Sequence, residues 1–88
     1  MKKFTIWLSD APQFWDFMEG NPNLQRTMKG TVDAEDLNEA YRESQRGISQ
    51  WKHRSCSVSD VIEEDGKFFL AEAIGFKEIP EPFPGYKK

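Results

Sequence analysis

One histidine, His53, lies near Ser55, Ser57, Ser59 and Asp60, so any serine–histidine–aspartate relay in this chain has to be built around it. The flanking residues argue against that chemistry. Such a relay needs a nucleophile on a glycine-flanked turn and a set of amides for the oxyanion, and no glycine lies between Gly47 and Gly66. Metal chemistry is equally undersupplied. His53 and Cys56, with two residues between them, offer two soft ligands, whereas a structural zinc takes four. Glu63, Glu64 and Asp65 precede Gly66 and read as solvating turn charges rather than a magnesium site. Gly66, Gly75 and Gly85 are isolated, so no loop is patterned to cradle a phosphate. The expectation is a protein with no catalytic residue, no metal and no cofactor.

Two charge patterns suggest other work. Arg42, Arg46, Trp51, Lys52 and Arg54 set cations around one aromatic ring, the combination that binds single-stranded nucleic acid by phosphate contact and base stacking. Against it stands a net charge of −3, where duplex binders carry a basic excess. Acids crowd Asp33 to Glu43 and again Asp60 to Glu72. An acidic face of this kind, with Glu39 and Glu43 at its centre, could imitate nucleic acid. The simpler reading is a solvated helix face, because acids in the N-terminal half and arginines in the C-terminal half suit the helix dipole.

The elements that would position these residues can be read from periodicity. At 88 residues, with seven Phe, three Trp and two Tyr, the chain suits one domain whose core is filled by a few large rings. Phe4, Ile6 and Leu8 alternate with Thr5 and Trp7, predicting a strand with Trp7 on its second face. Ser9 or Asp10 would cap a short helix carrying Phe14, Phe17 and Met18, ended by Gly20. Residues 21–31 read as a connection that Leu24 and Met28 anchor to the core. The main helix is predicted to start at an Asp33 cap, with Val32 stapled on Leu37, and to stop at Gly47. Its inner stripe is Leu37, Ala40, Tyr41 and Ser44. Asp65-Gly66 predicts a hairpin between a strand ending near Ile62 and one from Lys67 to about Ala73 that continues towards Ile79, with Gly75 as a bulge or a close backbone approach. Pro80, Pro82 and Pro84 exclude further pairing and make 80–88 an extended or turned tail. The fold class expected is α+β: a small antiparallel sheet, formed by the N-terminal strand and a C-terminal meander, packed on one main helix and one short N-terminal helix. One cysteine excludes an internal disulfide and suits a reducing cytoplasm. No signal-peptide or membrane-spanning run is read in the sequence.

The run Arg54-Ser-Cys-Ser-Val-Ser-Asp-Val-Ile62, followed by Asp65-Gly66, an aromatic strand and Gly75-Phe-Lys-Glu-Ile79, closely resembles the YodL-like group of small proteins of unknown function. These are common in bacteriophages and conjugative elements. The preceding Asp36-Leu-Asn-Glu-Ala-Tyr-Arg-Glu-Ser-Gln45 is similar to the helix such phage proteins place ahead of the motif. The likeness covers roughly Val32 to Ile79 and departs from the pattern at Cys56, where a hydrophobic or small residue is usual. It implies a mobile-element context, transfers no catalytic residue, and implies that Ser57, Val58, Ser59, Asp60, Val61, Gly75 and Phe76 gather in space.

The function expected from all of this is a non-enzymatic accessory protein of a phage or related element that binds a protein, with inhibition of host defence as its specific form. Trp7, Trp15, Trp51, Phe83 and Tyr86 look too many for so small a core, and exposed rings serve as interface anchors. Arg54 and Ser55 would border the same surface. The partner is a host protein or a second copy, the latter through an unpaired edge of the first strand or the aromatic tail.

Overall fold

The computed structural model describes residues 1–10, 22–45 and 51–86. The elements are β1 (Lys2–Leu8), β2 (Met28–Ala34), α1 (Leu37–Glu43), β3 (Val61–Glu64), β4 (Lys67–Ala71) and β5 (Phe76–Ile79). They build one antiparallel sheet in the order β2-β1-β3-β4-β5, with α1 laid across one face. The expected α+β class holds. The short helix expected after Asp10 lies outside the described residues, among which α1 is the one helix.

The strict alternation along β1 divides the core in two. Phe4, Ile6 and Leu8 point towards α1 and join Ile62, Ala40, Trp51 and Cys56. Trp7 points the other way and joins Val61, Phe68, Leu70 and Ile79. Asp65 and Gly66 both take positive φ, 53° and 82°, as a two-residue primed turn requires, and Glu64 lies opposite Lys67. Glu63 and Glu64 also hold partners across the sheet: Trp7 Nε1 donates to Glu63 at 2.9 Å, and Lys2 pairs with Glu64 at 3.3 Å. The second strand of the hairpin ends at Ala71 rather than Ala73. There the chain reverses through 72–75, with the Glu72 amide donating to the Gly75 carbonyl at 3.0 Å and Gly75 at φ 84°, so Gly75 serves a turn and not a bulge.

Three further expectations are corrected. The stretch read as a connection contains β2, which pairs along its whole length with β1, from Lys2 opposite Ala34 to Leu8 opposite Met28. Met28 is 48% exposed, and Arg26 is the fully buried residue there. The first strand therefore has no free edge, since β2 and β3 flank it.

The helix starts three residues later than its expected Asp33 cap, because β2 claims Asp33 and Ala34. Asp36 is the cap: its carboxylate accepts from the Glu39 amide at 2.8 Å, while Glu39 reaches back to accept from the Glu35 amide at 2.7 Å. Leu37, Ala40, Tyr41 and Ser44 do form the inner stripe, Ala40 and Ser44 fully buried. Gly47 lies outside the described residues.

The proline-rich tail does not extend into solvent. Phe83-Pro84-Gly85-Tyr86 closes a turn, with the Tyr86 amide donating to the Phe83 carbonyl at 3.2 Å and Gly85 at φ 83°. It sets Phe83 and Tyr86 on the second face of the sheet, their centroids 5.8 and 5.9 Å from Trp7, with Tyr86 5.5 Å from Phe68. No helix among the described residues is long and apolar enough to cross a membrane.

Candidate functional site

The segment 54–60 closes on a single carboxylate. Asp60 is fully buried, and each of its oxygens accepts two hydrogen bonds. Oδ1 takes the Ser9 amide at 2.7 Å and Arg54 Nη2 at 2.8 Å; Oδ2 takes Arg54 Nη1 at 2.8 Å and the Ser57 amide at 2.9 Å. A carboxylate has about four lone-pair sites, and all are occupied. Arg54 also donates to the carbonyls of Ser9 and Ser55, both at 2.9 Å, and its paired carboxylate holds the guanidinium above the usual arginine value.

A fully buried cation stands behind this pair. Arg26, 0% exposed, donates to the Ser59 carbonyl from Nε and Nη2 at 2.9 and 2.6 Å. Its Nη1 donates to Pro82 at 2.6 Å and Leu24 at 2.8 Å. Burial pushes this guanidinium below the usual value, and the charge of Asp60 opposes that shift. The hub therefore ties the end of β1, the approach to β2, the 54–60 segment and the tail to one another.

Between the two arginines lies a strained turn. The Asp60 amide donates to the Ser57 carbonyl at 3.1 Å and Ser59 takes φ 80°, the pattern of a type II turn at a position that favours glycine. The Ser59 amide and the Asp60 carbonyl both engage Ala71, two residues against one, which is a glycine-type bulge occupied by serine. A left-handed non-glycine residue costs about 1–2 kcal/mol. Arg26 on the Ser59 carbonyl and Asp60 on the Ser57 amide hold it in place.

The outcome is a presented surface. Val58, at the corner of this turn, lines a concavity of about 270 Å3 together with Tyr41, Ala73, Gly75 and Phe76. Tyr41 and Phe76 meet edge-on at 6.2 Å, and Ile74, at the tip of the β4–β5 reversal beside them, is 87% exposed. Val58, Gly75 and Phe76 line this one depression, and Ser57 and Asp60 bond to each other across the turn that holds Ser59 ahead of Val61.

Other sequence-derived candidates fall elsewhere. Asp60 is committed to Arg54 and two amides, so it cannot orient His53, whose ring instead packs on Trp51 at 5.0 Å. The aromatic anchors are not surplus. Trp7 and Trp51 are each 7% exposed and half-buried Phe83 and Tyr86 cover the sheet, while Trp15 lies outside the described residues. Among the described residues the nucleic-acid patch does not assemble either. Trp51 is buried with Nε1 donating to the Arg54 carbonyl at 2.8 Å, Arg54 is neutralised by Asp60, and Arg42 pairs with Glu39 at 3.4 Å. Lys52 is exposed, and Arg46 is outside the described residues. Ser55 is half-buried beside the hub. Glu39, which would have centred an acidic decoy with Glu43, accepts from the Glu35 amide and pairs with Arg42.

A larger groove of about 440 Å3 runs between α1 and β2 past Lys3, Val32, Asp33, Glu43 and Trp51, but its Asp33 is already paired with Lys3 at 3.9 Å. Among the described residues no group of three or more metal-ligating side chains occurs. No family model matches the chain, and neither does any curated protein or any solved structure.

Proposed function

We propose that this protein is a non-enzymatic binding protein which docks a protein partner on the surface formed by Ile74 and the adjoining Tyr41, Val58 and Phe76 depression. The observation that carries the reading is the 87% exposure of Ile74 beside a concavity with half-buried aromatic walls. A large aliphatic side chain held out on a turn is a preformed anchor, and a rigid depression next to it accepts an apolar side chain from the partner. The Asp60 hub supports this by fixing the Val58 turn before binding, so little ordering entropy remains to be lost. The resemblance of Arg54 to Ile79 to small phage and mobile-element proteins supports an accessory role, with a host defence protein as the partner class.

The test is partner capture from bacterial lysate by the tagged wild-type protein and by Ile74→Asp and Val58→Asp, with Lys52→Ala as an exposed control. Loss of one captured protein in both aspartate variants, with melting temperatures unchanged, is the expected result. Equal capture by all four proteins removes this surface from consideration. Nuclease-sensitive capture would turn the reading to its alternative, single-stranded nucleic acid.

A further inference from the structure

We propose that two copies of this chain join edge to edge through β2, making one continuous sheet from two five-stranded ones, with a two-fold axis at Thr31. This surface is separate from the Ile74 depression and does not depend on it. Among the described residues the sheet has two edges, β2 and β5. β5 is four residues long and Pro80 follows it, whereas β2 runs seven residues, Met28–Ala34, without proline. An unpaired edge of that length is a template for another strand.

The residues of β2 say which strand. In an antiparallel pair centred on Thr31, Lys29 of each copy lies opposite Asp33 of the other, Gly30 opposite Val32, and Met28 opposite Ala34. The strand is self-complementary in charge. Lys29, Thr31 and Asp33 share the face of Trp7, Thr5 and Lys3, their partners in β1. Across the junction that face would read Lys3, Asp33, Lys29 of the second copy, Trp7 of the second copy. The outer contacts of this row already exist: Lys3 lies 3.9 Å from Asp33, and Lys29 Nζ sits 4.6 Å from the Trp7 ring centroid. Moving the axis by one residue sets Lys29 or Asp33 opposite Thr31 and loses the pairing, so charge also selects the register.

Sedimentation equilibrium tests this with four proteins. The wild-type chain is expected to be a dimer. Lys29→Asp and Asp33→Lys each place like charges opposite one another twice, and each should raise the dimer Kd by roughly tenfold or more. The equimolar mixture of these two variants restores both opposite-charge pairs and should associate as the wild type does, as should the chain carrying both exchanges. Ile74→Asp should leave the dimer intact, which separates this surface from the proposed docking site. A wild-type protein that sediments as a monomer throughout, single variants that dimerise like wild type, or a mixture no more associated than its components would each overturn the proposal.

Discussion

Replacing Asp60 by alanine is expected to cost the protein about 3–5 kcal/mol of stability, and the structure shows where that comes from. The carboxylate is fully buried and accepts four hydrogen bonds. Two donors are backbone amides, of Ser9 and Ser57, and a buried amide left without an acceptor costs about 1–3 kcal/mol. The turn amide alone would account for the lower end. Arg54 adds less than a sealed cation would, because its side chain is 35% exposed and keeps the Ser9 and Ser55 carbonyls as acceptors. For a domain of 88 residues with roughly 4–13 kcal/mol in total, that loss is a large fraction. Urea unfolding followed by tryptophan emission reads it well, since Trp7 and Trp51 are buried; the midpoint should fall by about 2–4 M. Asp60→Asn should also fall below wild type, because one carboxylate oxygen becomes an amide nitrogen facing N–H donors. A loss below about 1 kcal/mol with unchanged slope would refute the account, since it would mean that the four bonds are not made in solution.

Arg26→Met removes the donor that joins the Ser59 and Pro82 carbonyls and should cost about 3–5 kcal/mol; limited proteolysis should then cleave the tail near Tyr86, and continued protection of the tail would contradict the tether. Gly30→Ala is expected to destabilise by about 1–3 kcal/mol despite the better strand propensity of alanine, because the added Cβ would sit 2.8 Å from Cζ3 of the buried Trp51; thermal unfolding checks this. Burial, with the Asp60 charge behind it, pushes the Cys56 thiol far above its usual range, so it should stay unmodified by thiol reagents at pH 8 until the protein unfolds. The unfolded thiol ionises near ~8.5 while the folded one keeps its proton, so this contribution is full below that value and declines by about 1.4 kcal/mol per pH unit above it. The slope of stability against pH beyond 8.5 should flatten in Cys56→Ala.

What could be read in advance follows a physical division. The β3–β4 hairpin was legible because Asp65 and Gly66 tolerate the positive φ that a primed turn imposes. The division of β1 into two faces was legible because alternation records which side each residue buries. β2 left no such record. It is an edge strand with an exposed alternate face, and Gly30 lies where an apolar side chain would signal a core position, because Trp51 fills that space from another segment. Arg26 was invisible for a related reason: its partners are main-chain carbonyls of Ser59, Pro82 and Leu24, and any residue carries those. The tail was left as extended or turned because three prolines exclude strand pairing without deciding between the two, and the turn that returns Phe83 and Tyr86 to Trp7 has no signal in the prolines themselves. For the site, Val58, Gly75 and Phe76 belong to the Arg54 to Ile79 motif, while the exposure of Ile74 had no signal, since only the turn that follows Ala71 holds it out.

The reach of the Asp60 and Arg26 hub along the chain carries a kinetic consequence. Its bonds join residues separated by 51 positions at Ser9, 45 between Arg54 and Ser9, and 56 between Arg26 and Pro82. Closing such distances precedes any return from the contact, whereas the β3–β4 hairpin closes over two residues. The hairpin is expected to form first, and the hub, like the equally distant pairing of Thr5 with Glu63 between β1 and β3, to lock afterwards. Substitutions in the hub should then leave refolding rates nearly unchanged and speed unfolding instead. The carboxylate at the centre of this fold would set how long the native state lasts once formed, rather than how quickly it is found.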